Sequence, residues 1–142
     1  MSTGYGIQSP STAVANFIGK PLPMLIGGNW VPAASGKILE VFNPASGSVL
    51  ARVAAGGRQE VDPAVRAARA AFDTNLWGGL GADARGKILW RIADLIEAHL
   101  DELSELESLN NGMPFRDAKF FHIAQSARCF RYFAGWPGKI LG

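Results

Sequence analysis

Apolar and polar residues change period along this chain, and the changes divide it into a β-rich front and a helical back. Met24-Leu25-Ile26 and Trp30-Val31 flank Gly27-Gly28-Asn29, residues that tolerate positive φ, which predicts a tight hairpin. Lys37-Ile38-Leu39-Glu40-Val41-Phe42 and Ser48-Val49-Leu50-Ala51-Arg52-Val53 are β-prone runs around the turn formers Asn43-Pro44-Ala45-Ser46-Gly47, which predicts two more strands. After Gly56-Gly57, Val61, Ala64, Val65, Ala68, Ala71 and Phe72 recur at three and four residues, the spacing of an amphipathic helix. Leu89, Ile92, Leu95, Ile96, Leu100, Leu103, Leu106 and Leu109 then form one apolar stripe, with Arg91, Asp94, Glu97, Glu102 and Glu105 off it. This predicts a helix stopped by Gly112 and Pro114. A last helix is expected from residues 115–117 to Trp136, where Pro137-Gly138 breaks it.

Strands followed by helices make an α+β order, or one flank of a larger α/β domain, because no strand alternates with the later helices as a self-contained parallel sheet requires. The chain has 142 residues, enough for one domain with a core. Residues 2–16 are mostly Ser, Thr, Gly and Ala, so residues 1–20 are expected to be a flexible N-terminal arm and 21–142 the folded body. Fourteen Lys and Arg against twelve Asp and Glu give a net charge of +2, too small and too dispersed for a nucleic-acid or membrane footprint. There is no apolar run long enough to span a bilayer and no signal-peptide pattern. The single cysteine excludes an internal disulfide, and a cytoplasmic location is expected.

Four candidate chemical features fail on inspection. Gly81-Ala82-Asp83-Ala84-Arg85-Gly86-Lys87 has the outline of a phosphate loop, but Ile88 stands where a hydroxyl must bind Mg²⁺. His99 and His122 lack partners for a metal site, so no metal is expected. Glu102, Glu105 and Glu107 near Asp101 ride an amphipathic helix and read as a solvated face, not an acid–base pair. Cys129, between Arg128 and Phe130-Arg131, reads as a packing or tunnel residue rather than a nucleophile.

An ordered series of motifs resembles the N-terminal part of the aldehyde dehydrogenase superfamily. Ile26-Gly27-Gly28-Asn29-Trp30-Val31 is similar to its opening hairpin and Phe42-Asn43-Pro44-Ala45-Ser46-Gly47 to its Asn-Pro-Ala-Thr-Gly turn. Val65-Arg66-Ala67-Ala68-Arg69-Ala70-Ala71-Phe72 resembles its Ala-rich helix. Arg85-Gly86-Lys87-Ile88-Leu89 with Ile92-Ala93-Asp94-Leu95-Ile96 resembles the helix that follows. The strongest pieces are Leu106-Glu107-Ser108-Leu109-Asn110-Asn111-Gly112-Met113-Pro114 and Phe130-Arg131-Tyr132-Phe133-Ala134-Gly135-Trp136. The order from Phe17 to Ile26 also looks like bacterial relatives acting on arylacetaldehydes such as phenylacetaldehyde.

The resemblance implies an α/β fold in which residues 21–142 are an incomplete N-terminal part of the cofactor-binding, Rossmann-like domain. It also implies NAD- or NADP-dependent oxidation of an aldehyde to a carboxylic acid by the complete enzyme, a homodimer or homotetramer. In the family a cysteine thiolate attacks the carbonyl, hydride passes to the nicotinamide, and a glutamate activates water to hydrolyse the thioester. Those catalytic residues and the dinucleotide-binding glycines belong to later parts of a family chain, so no catalytic or cofactor-binding residue is expected here and the chain alone should be inactive. Residue by residue, the resemblance carries Phe121, His122, Gln125 and Cys129 over as aldehyde-tunnel positions. His122, Gln125 and Cys129 at i, i+3 and i+7 would form one polar stripe on an aromatic helix, which an ordinary packing interface would also produce. Asn110 stands where many members have Asp, which removes a carboxylate from a structural cation site found in some of them. The alternative reading is a stand-alone helical protein-interaction module, or a non-functional remnant derived from the family.

Overall fold

The computed structural model describes residues 9–140. Residues 1–8 of the expected arm, and residues 141–142, lie outside the described residues. Within that arm a helix, α1 (Thr12–Ile18), is formed. Ser11 caps it by accepting from Val14 N, and Val14 is fully buried. The described part of the expected arm thus carries a helix over residues 12–18. A short Ala/Val/Phe/Ile segment that finds an apolar neighbour folds even when its composition is that of a tail.

Strands β1 (Met24–Ile26) and β2 (Asn29–Val31) form the expected hairpin, with Ile26 opposite Asn29. Gly27 and Gly28 both have positive φ, 58° and 81°, as a two-residue hairpin turn of this hand requires. Strands β3 (Ile38–Phe42) and β4 (Val49–Ala54) make a second antiparallel pair, irregular between Val41 and Phe42. Leu22 adds a parallel bridge to Val53. Helix α2 (Arg58–Asp73) follows.

The single helix expected through Leu109 is two. Helix α3 (Ala82–Ala98) ends at His99, whose φ of −109° and ψ of 25° leave the helical basin, and α4 (Leu100–Asn111) begins at once. Their packing supplies the reason: α3 lies mainly on the last helix, whereas α4 lies against the turn preceding it and against α1. One straight rod cannot follow both surfaces, and an apolar stripe records only that each half has something to bury. Gly112 ends α4 in the left-handed conformation, φ 82°, as expected.

The final helix also differs from expectation. It is continuous but comprises α5 (Phe115–Asp117), a π-helical turn (Ala118–Ile123) and α6 (Ala124–Ala134). Glu105, expected in a solvated face, is buried and accepts a hydrogen bond from Ser11 N at the start of α1. Helix α1 covers that carboxylate and supplies its partner, so the local helical period could not reveal its burial.

Helix α2 is tethered by Glu60, whose carboxylate accepts from Gly57 N at 2.6 Å and from Ala34 N at 2.8 Å. The bond from Ala34 N, followed by that from Gly57 N, holds the Glu60 carboxyl below its usual range. A lowered folded pKa contributes stability above the unfolded value, near 4.5, that is lost as pH falls through the folded value. Amide protection across α2, measured against the exchange rate of the unfolded chain at the same pH, is therefore expected to fall below about pH 4.5, the unfolded carboxyl value. Glu60→Gln should remove most of that acid dependence. An identical acid profile in the variant would show that Glu60 does not tether α2.

Candidate functional site

The chain's distinguishing surface is its set of uncovered apolar faces. The described residues that are both buried and hydrophobic are Val14, Ala33, Ala51, Ala93, Leu109, Ala118 and Ala127, most of them small. On α2 the predicted apolar face points to solvent, with Val61 56%, Val65 61% and Phe72 74% exposed. Ile38, Leu39 and Phe42 of β3 are exposed as well, as are Phe120, Phe121, Tyr132, Phe133 and Trp136 around α6. The accessible surface is 10131 Å², against about 7,100 Å² for a folded monomer of this size.

Helix α6 carries the residues singled out from the sequence, and the structure sorts them. Gln125 and Cys129 lie one turn apart on its outer face, both exposed, with Gln125 Nε2 3.9 Å from Cys129 Sγ. Phe121 is exposed in the π-helical turn. His122 departs from the expected stripe: its Nδ1 lies 3.0 Å from Glu107 Oε1 on α4. The same carboxylate oxygen accepts from Asn111 Nδ2 at 2.8 Å. His122 lies in the π-helical turn, which packs against α4, whereas Gln125 and Cys129 lie beyond it on α6; all three are exposed.

On the opposite side α6 meets α3, and here sequence reasoning missed the organising residue. Arg131 donates from Nη1 to Glu97 Oε1, and from Nη2 to Glu97 Oε2 at 2.6 Å and Asp94 Oδ1 at 2.9 Å. Its guanidinium lies 5.4 Å from the centroid of the Trp90 ring. Glu97, then Asp94, holds Arg131 firmly protonated, and Arg131 in turn draws the Glu97 carboxyl below its usual range. The i, i+4, i+7 spacing of Trp90, Asp94 and Glu97 along α3 was visible, but nothing in the sequence indicated that Arg131 would face it.

The junction between β4 and α2 is a strand-to-helix turn through Gly56-Gly57, the kind of place where a pyrophosphate can rest on a helix N-terminus. Here the N–H of Gly57 is already engaged by Glu60 Oε2. This turn does not fit a dinucleotide phosphate.

Residues 30–142 match the model of the aldehyde dehydrogenase family. The chain belongs to that family. It is 44% identical over 136 residues to an aldehyde dehydrogenase of Arabidopsis thaliana, family 2 member B4, mitochondrial, covering 96% of this chain and 24% of that protein. It is 46% identical over 122 residues to the phenylacetaldehyde dehydrogenase of Pseudomonas fluorescens, covering 86% of this chain and 24% of the relative. In structure it resembles the NAD⁺ complex of an aldehyde dehydrogenase from Bacillus cereus, with a TM-score of 0.88 at 38% identity over 94% of this chain and 27% of that one. The chain thus spans about a quarter of the length of these aldehyde dehydrogenases, with the same mixed α/β fold over nearly all of its own length. Among the described residues no helix is long and apolar enough to cross a membrane.

Proposed function

We propose that this chain is the N-terminal portion of an NAD(P)-dependent aldehyde dehydrogenase and forms part of the shell of its cofactor domain. The complete protein converts an aldehyde and water to a carboxylic acid, with hydride passing to the nicotinamide. The observation that carries this reading is the uncovered apolar surface of α2, β3 and α6 on a chain that superposes on much longer aldehyde dehydrogenases. Those faces are what a cofactor domain would cover, since exposed apolar area on this scale marks an interface.

The outer face of α6, with Phe121, Gln125 and Cys129, borders the aldehyde path in this reading, while His122 braces it through Glu107. The substrate class is an arylacetaldehyde, supported by the Pseudomonas fluorescens relative. The compartment is the cytoplasm, where an exposed lone thiol such as Cys129 stays reduced. Alone, the chain neither binds the dinucleotide nor turns over. A self-standing interaction module is less favoured because it would leave the apolar faces of both α2 and β3 in water.

The test is a chimera in which residues 30–142 replace the matching segment of the Pseudomonas fluorescens enzyme. It is expected to oxidise phenylacetaldehyde within about tenfold of the parent rate, a barrier change of about 1.4 kcal/mol. The isolated 142-residue chain should show no NAD⁺ reduction. A chimera that melts cooperatively yet produces no NADH would refute the reading, as would turnover by the chain freed of contaminating enzyme.

A further inference from the structure

We propose that Arg131 is a positioning residue: it sets the rotation of α6 about its own axis and so decides which side chains that helix presents outward. The contact between α3 and α6 is the most extensive between elements of the chain, yet what it seals is small. Ala93 is the buried residue of α3 and Ala127 that of α6. Gly86 passes so near Ala134 that a Cβ on it would lie 2.7 Å from the Ala134 carbonyl oxygen. Such a smooth contact brings two axes together but resists rotation weakly, because no large side chain on either helix is fully sealed in a facing hole.

Rotation needs a directional bond. Arg131 supplies one: its planar guanidinium is forked onto Glu97, bonded to Asp94 and placed over the Trp90 ring. Helical spacing places Arg131 about 200° around the axis from Cys129, so fixing the inner side of this turn fixes the outer one. The further claim that this orients side chains toward aldehyde rests on the proposed reading of α6 as bordering the substrate path.

Cys129 is the chain's only cysteine and is exposed, so a nitroxide attached to it reports on α6 alone. In the 142-residue chain Arg131→Met is expected to enlarge the minor component of the nitroxide spectrum about fivefold, the shift an exposed ion-pair cluster can supply. Helix content by circular dichroism should be unchanged. Arg131→Lys should restore part of the parent spectrum, and Arg52→Met, which breaks a remote pair with Glu40, should leave it as it is. If Arg131→Met loses helix content, the double variant Asp94→Asn, Glu97→Gln decides, since it removes the charges with little change of shape. An unchanged spectrum in a folded variant overturns the proposal.

The second arm uses the chimera, where Arg131→Met should raise KM for phenylacetaldehyde about fivefold with kcat within twofold, the same ion-pair loss read through substrate binding. A changed spectrum with unchanged KM would refute the substrate-path reading of α6 while leaving the rotational lock standing. An unchanged spectrum would refute the lock whatever KM does.

Discussion

Gly86→Val is expected to separate α3 from α6 and lower the chain's stability by about 2 kcal/mol, within the range for overpacking a close contact. Two effects oppose each other. Valine is a better helix former than glycine by about 0.4 kcal/mol, and Gly86 lies inside α3, so propensity alone predicts a gain. The added Cβ would lie 2.7 Å from the Ala134 carbonyl oxygen, and a backbone atom cannot swing aside as a side-chain end can. Steric cost wins, and α6 must move away. The unfolding midpoint in urea, followed by circular dichroism, should fall by about 1 M at an ordinary denaturant slope. Gly138→Ala, with no atom near the new Cβ, is the control. An unchanged midpoint for Gly86→Val would mean the helices do not approach this closely in solution.

Within the chimera, Gln125→Trp is expected to lower kcat/KM for phenylacetaldehyde about 30-fold, a cost in line with misfitting an apolar pocket by a few carbons. The proposed placement of α6 beside the aldehyde path makes this the most informative substitution on its outer face. Gln125 is exposed in the chain, and its side-chain partner is a 3.9 Å contact to Cys129 Sγ, so folding should tolerate the change. An indole there fills space that a bulky aldehyde needs and a small one does not, so acetaldehyde should lose about threefold at most. Steady-state kinetics with both substrates separates the cases. Equal losses for the two aldehydes would indicate a general disturbance of the fold, and no loss for either would remove Gln125 from the substrate path.

Both predictions depend on the spatial relation of α3 and α6, and this is where sequence and structure part. The hairpin at Gly27-Gly28, the strands around Asn43-Pro44, the start of α2 after Gly57 and the end of α4 at Gly112 were legible because each depends on a few neighbouring residues. A turn needs positive φ, and a helix end needs a residue that accepts it. Family membership was legible for a related reason: the motifs from Ile26 to Trp136 keep their order and spacing, and the match over residues 30–142 reads the same information.

The local elements, their order and the family to which the chain belongs were therefore all readable from residue order. Tertiary structure alone decided which apolar stripes are covered. The stripe of α2 and the buried face of α4 look alike as periodicity, yet Phe72 stands in solvent while Leu109 is buried. It also decided the break at His99, the contact of His122 with Glu107, the burial of Glu105 beneath α1 and the facing of Arg131 onto Asp94 and Glu97. In each case the deciding partner lies 15 to 94 residues away or on another element. Helical and strand periods carry local geometry only, so the pairing of distant surfaces is fixed by packing after the elements exist.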